Sequence, residues 1–337
     1  MPLPTIRRMA AAYDCDPGTV QRAYQEMLRL GTVSSQGIGR HQRLLVAPRP
    51  QPPLAEAVAI LSIESPALQP EEPGWSIQEC FGAMAAISTT GATVLIVRPQ
   101  EFSAARLTSW CRDGLAGVIL LTEPPAIELA GLNNLMQQGL RVAALDHILP
   151  GLDCDRAGSD HQRGGRLLAD HLIAQGRRRL VTLWPWSGND PDDFAWAAAR
   201  QAGLKEACLA AGIPEPIRRV WTNPIHMEKR AAEAVQHLRD LLCGPDPVDA
   251  LLVSSDGDVP MIVEAVVGCG GRQQPEVVIA GYDDYLPVGN KIRPCATIDK
   301  RNAEIGAELV RLVQERRSGR LVGPAVTRLL VPRLVVG

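Results

Sequence analysis

The feature that most constrains the fold is an alternation of short apolar runs with longer segments of helical periodicity. The apolar runs, rich in β-branched residues, predict buried strands at 57–63, 93–97, 117–121, 141–145, 179–184, 218–222, 249–254 and 277–283. The segments with helical spacing lie at 76–90, 101–113, 126–139, 161–176, 194–212, 227–243, 258–268 and 300–318. Continuous apolar strands separated by helices are typical of βαβ units, in which helices cover both faces of a parallel sheet.

Two α/β architectures fit this alternation. Eight units could close into one barrel or divide into two doubly wound lobes, and the spacing alone does not separate these options. A break in the pattern at "HILPGLDCDRAGSD" (147–160) favours two lobes of similar size. A chain of 337 residues also exceeds the usual size of one compact core.

A proline-rich stretch separates the alternation from the N-terminal residues. In "APRPQPPLAEA", Pro48, Pro50, Pro52 and Pro53 fall close together, which favours an extended, semi-rigid spacer and excludes a helix or a central strand. We therefore predict an N-terminal domain at 1–47, a linker at 48–55 and a larger domain at 56–337.

Residues 1–47 have the pattern of two short helices followed by a hairpin. Thr5 is placed to cap the first helix, and Asp16 to cap the second with Pro17 in its first turn. About three residues join the helices, which is typical of a helix-turn-helix. The hairpin turn at Gly37 and Gly39 predicts a basic-tipped wing.

Charge is distributed unevenly between these parts. Residues 1–49 hold seven arginines against three acidic residues, a net charge of +4, while the remainder carries 28 basic and 34 acidic residues, a net charge of −6. A basic N-terminal domain on an acidic body suggests that the N-terminal domain binds a polyanion.

The segment "LPTIRRMAAAYDCDPGTVQRAYQEMLRLGTVSSQGIGR" resembles the GntR winged helix-turn-helix, with its LP, TV, RA and G-x-G elements at the expected intervals. The predicted contacts with double-stranded DNA are Arg7, Thr19, Gln21, Arg22, Gly37, Gly39, Arg40 and His41. We expect Arg7, Thr19 and Arg40 to bind phosphates, while Gln21 and Arg22 reach base edges. Members of that family have a further helix before the L-P motif, whereas this sequence begins almost on it. We therefore expect this module to lack its first helix.

The larger domain resembles the LacI/ribose-binding type, a periplasmic-binding-protein-like sensor. The resemblance rests on "GSDHQRGGRLLADHLIAQGRRRLVTLW", "VVIAGYDDYLPVGNKIRPCATIDKRNAEIGAELVRLV" and "LLVPRLVV". It implies two Rossmann-like lobes joined by crossovers near 156, 285 and 320. The first lobe is then expected at 56–155 and 286–319, and the second at 156–285 and 320–337.

The same resemblance implies that a small polar effector, often a sugar, binds between the lobes at the carboxyl ends of the strands. The residues assigned to it are Asp146, Arg200, Trp221, Ser255, Asp256 and Asp283. Arg200 occupies an R-x-x-G motif and Asp283 lies in "GYDD"; an arginine with carboxylates suits a polyol. Asp146 and Asp256 could instead cap helices, and Trp221 could instead belong to the core.

Other classes of function find little support in the sequence. The eight cysteines and six histidines show no metal-ligand spacing and no nucleophile pairing, so we predict no enzyme activity, no metal and no cofactor. Because no apolar run is long enough to span a membrane, we expect a soluble, cytoplasmic protein.

The sequence predicts a one-component transcriptional regulator. We expect a homodimeric repressor whose binding to operator DNA is controlled by a carbohydrate effector. The alternative is a cytoplasmic carbohydrate-binding protein that no longer binds DNA.

Overall fold

The computed structural model describes residues 3–29, 33–36, 43–46, 54, 56–62, 75–149, 151–186, 194–222, 248–260, 262–263, 277–285 and 292–337. The chain divides into two compact units, Met1–Leu54 and Ala55–Gly337. This division falls near the end of the predicted linker at 48–55, most of which lies outside the described residues. Among the described residues, no helix is both long and apolar enough to cross a membrane.

The first unit contains two helices and an antiparallel pair of strands. Numbered in chain order, these are α1 Ile6–Ala12, α2 Pro17–Arg29, β1 Val33–Gln36 and β2 Arg43–Val46. Thr5 caps α1 by accepting a hydrogen bond from the backbone N of Arg8 at 3.4 Å. Ala10, Val20 and Tyr24 form the buried core of this unit.

The first lobe of the second unit is built on a parallel sheet of six strands. They are β3 Val58–Leu61, β4 Val94–Val97, β5 Gly117–Leu120, β6 Val142–Leu145, β7 Asp155–Ser159 and β13 Thr327–Leu330. Its strand order is β13-β7-β6-β5-β3-β4. The associated helices are α3 Trp75–Ser88, α4 Ala104–Arg112, α5 Leu129–Gln137 and α8 Asn302–Arg317.

The second lobe has a similar sheet with one antiparallel edge strand. The strands are β8 Leu180–Trp186, β9 Ile217–Thr222, β10 Ala250–Val253, β11 Val278–Ala280, β12 Ala296–Asp299 and β14 Arg333–Val336, in the order β14-β12-β11-β10-β8-β9. Only β14 runs antiparallel to its neighbour. Helices α6 His161–Ala174 and α7 Ala195–Ala210 pack against each other in this lobe.

Two separate sheets exclude the single barrel. In both lobes the strand order reverses after the first strand, at β3 in one and at β8 in the other. Open α/β sheets bind ligands at the carboxyl ends of the strands beside such a reversal. The topology therefore predicts that a ligand binds near the carboxyl ends of β3 and β8.

The connections between the lobes differ from the prediction. The chain enters the second lobe after Ser159, returns to the first between Asp299 and Asn302, and crosses again between Leu330 and Arg333. The prediction had placed β12 in the first lobe and β13 in the second. The strand pairing decides against both assignments, because β12 pairs with β11 and β14, while β13 pairs with β7.

Candidate functional site

Arg200 is the centre of a buried polar cluster in the second lobe. Its helix, α7, lies close to α6 because both carry glycine at the crossing: a Cβ added to Gly165 would lie 2.2 Å from the carbonyl oxygen of Arg200, and one on Gly203 would lie 1.8 Å from that of Gln162. This close packing aims Arg200 at the carboxyl ends of the strands.

The guanidinium of Arg200 is 5% exposed and is held on several sides. Its Nη1 donates to the carbonyl oxygen of Ser254, just after β10, at 2.8 Å, and its Nε donates to Nδ1 of His161 at 3.2 Å. Its Cζ lies 3.5 Å from the ring centroid of Tyr282 and 4.5 Å from that of Trp196. The cation is thus fixed between two aromatic rings, an arrangement that favours a desolvated guanidinium.

Asp283 is the anion of the cluster. Its Oδ1 lies 3.0 Å from Nζ of Lys300 and 3.7 Å from Nη2 of Arg200, and all three side chains are buried. The backbone of Asp283 has a φ of +97°, which is costly for a residue with a Cβ. Its position between two cations is the compensating interaction.

An aromatic surface adjoins these charges. Trp196 packs edge-on against Trp184, with ring centroids 5.8 Å apart, and contacts Phe194 at the same separation. Trp196 and Phe194 are half-buried, whereas Trp184 and Tyr282 are buried. The half-buried rings can pack against the C–H face of a ligand.

Two titratable groups of the cluster are neutral near pH 7. Burial, assisted by the positive charges of Arg200 and Lys300, holds the pKa of His161 well below its ordinary value. Burial raises the pKa of Tyr282 to about 12. The charged groups of the cluster are therefore Arg200, Lys300 and Asp283.

Asp256 lies beneath the cluster. It is 1% exposed and accepts hydrogen bonds from Oγ1 of Thr297 at 2.7 Å and from the backbone N of Tyr285 at 3.0 Å. Burial raises its pKa to about 7. Its oxygens bind protein donors, so Asp256 supports the turn that carries Asp283, and the structure does not place it on the ligand surface as the sequence had suggested.

Ser255 has the role of a cap. Its side chain accepts from the backbone N of Gly257 at 3.4 Å, at the start of the short 3-10 helix Asp256–Asp258. The sequence left open that Asp256 caps a helix; in the structure Ser255, the preceding residue, is the cap.

Asp146 follows β6 in the first lobe and is half-buried. Its Oδ1 lies 3.2 Å from Nδ1 of His147, and it caps no described helix. A Cβ on Gly158 would lie 2.2 Å from its Cγ, so the glycine leaves room for the carboxylate. Asp146 is therefore available at the carboxyl end of the first sheet.

For Trp221 the structure describes only the backbone, near the end of the edge strand β9. Its assignment to the effector site remains a prediction.

The predicted DNA contacts of the first unit are described in part. Arg7, Thr19, Gln21 and Arg22 are exposed, and Nη2 of Arg22 donates to Oγ1 of Thr19 at 3.2 Å. The residues of the predicted wing, Gly37, Gly39, Arg40 and His41, lie outside the described residues.

The effector residues assigned from the sequence leave out four side chains of the cluster, namely His161, Trp196, Tyr282 and Lys300. Two signals were available. Trp196 precedes Arg200 by one helical turn on α7 and so shares its face, and Tyr282 is adjacent to Asp283. Lys300 and His161 reach the cluster through the crossovers, which local spacing does not reveal. Within the described part of the chain, no group of three metal-ligating side chains could hold a metal ion.

Comparison with known proteins agrees with this architecture. The model of the family described as periplasmic binding protein-like domain matches residues 169–337. A curated relative, the HTH-type transcriptional regulator CelR of Thermobifida fusca, is 29% identical over 166 residues, 49% of this chain and 46% of that protein. The match thus spans about half the length of this relative.

Three solved structures share the fold. The transcriptional regulator CelR in complex with cellobiose aligns with a TM-score of 0.62 and 22% identity over 99% of both chains. A LacI-family regulator from Enterococcus faecium with bound ribose gives 0.59 and 20%, covering 83% of this chain and 96% of that one. A LacI regulator from a Rhodococcus species gives 0.61 and 19% over the same shares.

Proposed function

Because the chain belongs to the periplasmic binding protein-like domain family, we propose that it is a one-component transcriptional regulator controlled by a small polar effector. The effector binds in the second unit, and the first unit binds double-stranded DNA. The relatives support this proposal, since the names of those compared above are all those of transcriptional regulators.

The observation that carries the effector proposal is the cluster of Arg200, Lys300 and Asp283 at the carboxyl ends of the strands. The two cations can donate hydrogen bonds and the carboxylate can accept them, while Trp196 offers an apolar face. Alternating hydroxyl groups and C–H faces are the chemistry of carbohydrates and related polyols. The cellobiose and ribose bound by two relatives belong to this class.

The DNA proposal is supported by the two contacting helices of the first unit, α1 and α2, and by the short connection between them. Helix α2 presents Thr19, Gln21 and Arg22 on an exposed surface, and Arg7 adds a further cation. Such a helix fits the major groove, with phosphate contacts from the arginines. We further propose that this unit is of the GntR type, with a wing at 37–41, because its sequence resembles that module.

Effector and DNA binding are coupled by linkage. A carbohydrate alters DNA affinity only if it binds one arrangement of the protein more tightly than another. We infer a cytoplasmic homodimer that reads a dyad-symmetric operator as a repressor.

A thermal-shift screen with cellobiose, ribose and other sugars and polyols tests the effector proposal. At least one of them should raise Tm in the wild type and in the control Arg163→Met, which changes an exposed arginine of α6. Arg200→Met and the milder Lys300→Gln should abolish the shift. No shift with any sugar, or an unchanged shift in both variants, contradicts the proposal.

A mobility-shift assay with DNA from upstream of the gene tests the proposed DNA binding. The protein should retard this DNA at low salt, and Arg22→Ala should weaken binding. A protein that binds a sugar but no DNA at any salt concentration is a carbohydrate-binding protein and not a regulator.

A further inference from the structure

His161 holds a position that the sequence did not single out. It is the first residue of α6, immediately after the first crossover between the lobes, and Asp160 caps this helix by accepting from the backbone N of Arg163 at 2.9 Å. The imidazole packs in the second lobe, with its centroid 5.9 Å from that of Tyr282 and 6.2 Å from that of Trp196. The ring therefore joins the crossover to the Arg200 cluster.

The partners of Nδ1 determine the tautomer of this ring. Nε of Arg200 lies 3.2 Å from Nδ1, and Oη of Tyr282 lies 3.4 Å from it. An arginine Nε–H can only donate, since the guanidinium keeps its proton at all relevant pH values. Nδ1 must therefore offer its lone pair, which leaves the single proton of the neutral ring on Nε2.

A second proton on this ring is strongly disfavoured. It would place an N–H on Nδ1 directly opposite the N–H of Arg200. Burial and the charges of Arg200 and Lys300 act in the same direction, with a further contribution from His147 of the first lobe. The ring is a fixed neutral donor through Nε2.

This donor points away from Arg200 and Tyr282, because the two ring nitrogens lie on different sides of the imidazole. Nε2 makes no hydrogen bond to any residue of the described part of the chain. His161 is 8% exposed, and its Nε2 is not among the fully buried polar atoms that lack a partner in the described part of the chain. Water can therefore reach this N–H, and an oxygen atom of a ligand would take the place of that water.

We propose that His161 is a specificity-determining residue of the effector site, whose Nε2–H donates a hydrogen bond to an oxygen atom of the bound carbohydrate. This inference rests on the proposed function. It gives the site a neutral donor beside its two cations, while Asp283 accepts from effector hydroxyl groups. The site then selects for an acceptor oxygen at one position of the ligand.

The tautomer can be measured without a ligand. In protein labelled with [15N]histidine, long-range 1H–15N correlation spectra report which nitrogen carries the proton, and His161→Gln assigns the signal. We expect the Nε2–H form, unchanged from pH 8 to about pH 5.5. An Nδ1–H form, or an imidazolium in this range, overturns the inference.

Calorimetry with cellobiose and ribose tests the contact itself. The His161→Gln side chain can accept from Arg200 and still donate, so affinity should stay within roughly fivefold of the wild type, whereas His161→Phe should lose roughly tenfold to a hundredfold. His171→Phe, on the same helix, is the control and should bind as the wild type does.

The outcomes separate the two hypotheses. A sugar that binds the wild type and His161→Phe equally well contradicts the role of His161 and leaves the proposed function standing. Absence of binding by the wild type for both sugars contradicts the carbohydrate assignment, and with it the ligand acceptor assigned to His161. Circular dichroism of each variant shows whether a loss of binding reflects unfolding.

Discussion

At the scale of single residues, the site depends on one carboxylate shared by two buried cations. Asp283 lies within ion-pair distance of Lys300 and Arg200, and each of these side chains is almost fully removed from water. A buried charge without its partner is strongly destabilising, because its desolvation is no longer offset. We therefore expect the three residues to support folding and the proposed ligand binding together.

Asp283→Asn should lower the free energy of unfolding by roughly 2 to 4 kcal/mol, since two buried cations lose their anion. It should also weaken sugar binding. Urea denaturation and calorimetry measure the two effects. The matched control is Asp284→Asn, which changes the exposed neighbour in the same turn; equal stability of the two variants would contradict this account.

Asp256 predicts a pH dependence of stability. Its pKa is raised from 3.8 to about 7 in the folded protein, so the folded state binds this proton more tightly than the unfolded state does. Its contribution to stability is therefore present at low pH, is lost as pH rises from about 4 to about 7, and stays lost above that range.

Asp256→Asn should remove this dependence. The stability of the variant relative to that of the wild type should be greater at pH 8 than at pH 5, because only the wild type loses stability as Asp256 ionises. Urea denaturation at both pH values, with the exposed Asp153→Asn as control, measures the difference. Parallel pH profiles for the wild type and Asp256→Asn would show that the carboxyl titrates normally.

At the scale of the elements, one buried arginine organises the turn that carries Asp146. The guanidinium of Arg156, on β7, donates to four backbone carbonyl oxygens of this segment, those of Leu145, Ile148, Leu149 and Leu152. Leu149 has a φ of +44°, in the left-handed region. The arginine replaces regular secondary structure as the source of hydrogen bonds for this turn.

Arg156→Met should release the turn, because four carbonyl groups lose their donor. We expect a loss of roughly 2 to 3 kcal/mol in the free energy of unfolding and faster hydrogen exchange at residues 146–152. Arg141→Met is the control, since that exposed arginine bonds a single carbonyl, of Gly139. Unchanged exchange in Arg156→Met would mean that the turn is held by other contacts.

Gly158→Ala tests the space beneath Asp146. The added Cβ would lie 2.2 Å from the Asp146 carboxyl carbon and displace it, so sugar affinity should fall by roughly tenfold. Gly151→Ala, where a Cβ meets nothing within 4 Å, is the matched control. Calorimetry with the sugar found in the thermal-shift screen compares them; equal affinities would show that Asp146 does not contact the effector.

The apolar runs predicted most elements because burial on both faces of a parallel sheet requires them. They did not include β12, β13 and β14. They also missed β7, whose sequence DRAGS is polar yet buried along its whole length. Its Asp155 pairs with Arg316, 161 residues away, at 2.7 Å, and its Arg156 bonds carbonyl groups. Local periodicity does not reveal such distant partners. The predicted lobe boundaries differ from the observed ones for the same reason.

The sequence also predicted only some of the residues that form the cluster around Arg200. Arg200 and Asp283, which the sequence assigned through motifs, lie together in one cluster, whereas Lys300 and His161 reach this cluster through chain crossovers. Asp256 was assigned to the effector because it follows a strand. Only the fold shows that Thr297, on β12, comes close enough to bind its carboxylate.

At the scale of the whole molecule, the crossovers of the second unit join the Arg200 cluster, which is the proposed effector site, to both lobes. His161 follows the first crossover and Lys300 lies in the second. Nη1 of Arg301 lies 3.5 Å from the carbonyl oxygen of Val331 in the third. A ligand that binds these residues binds the connections themselves, so its affinity depends on their conformation. This is the condition that linkage requires for control by an effector.

The most direct test of regulation is the affinity for upstream DNA, measured by fluorescence polarisation with and without the sugar that raises Tm. We predict that the sugar changes the Kd for DNA at least about fivefold in the wild type and has no effect in Arg200→Met. A protein that binds both the sugar and the DNA, with a Kd for DNA that the sugar does not alter, would contradict the account.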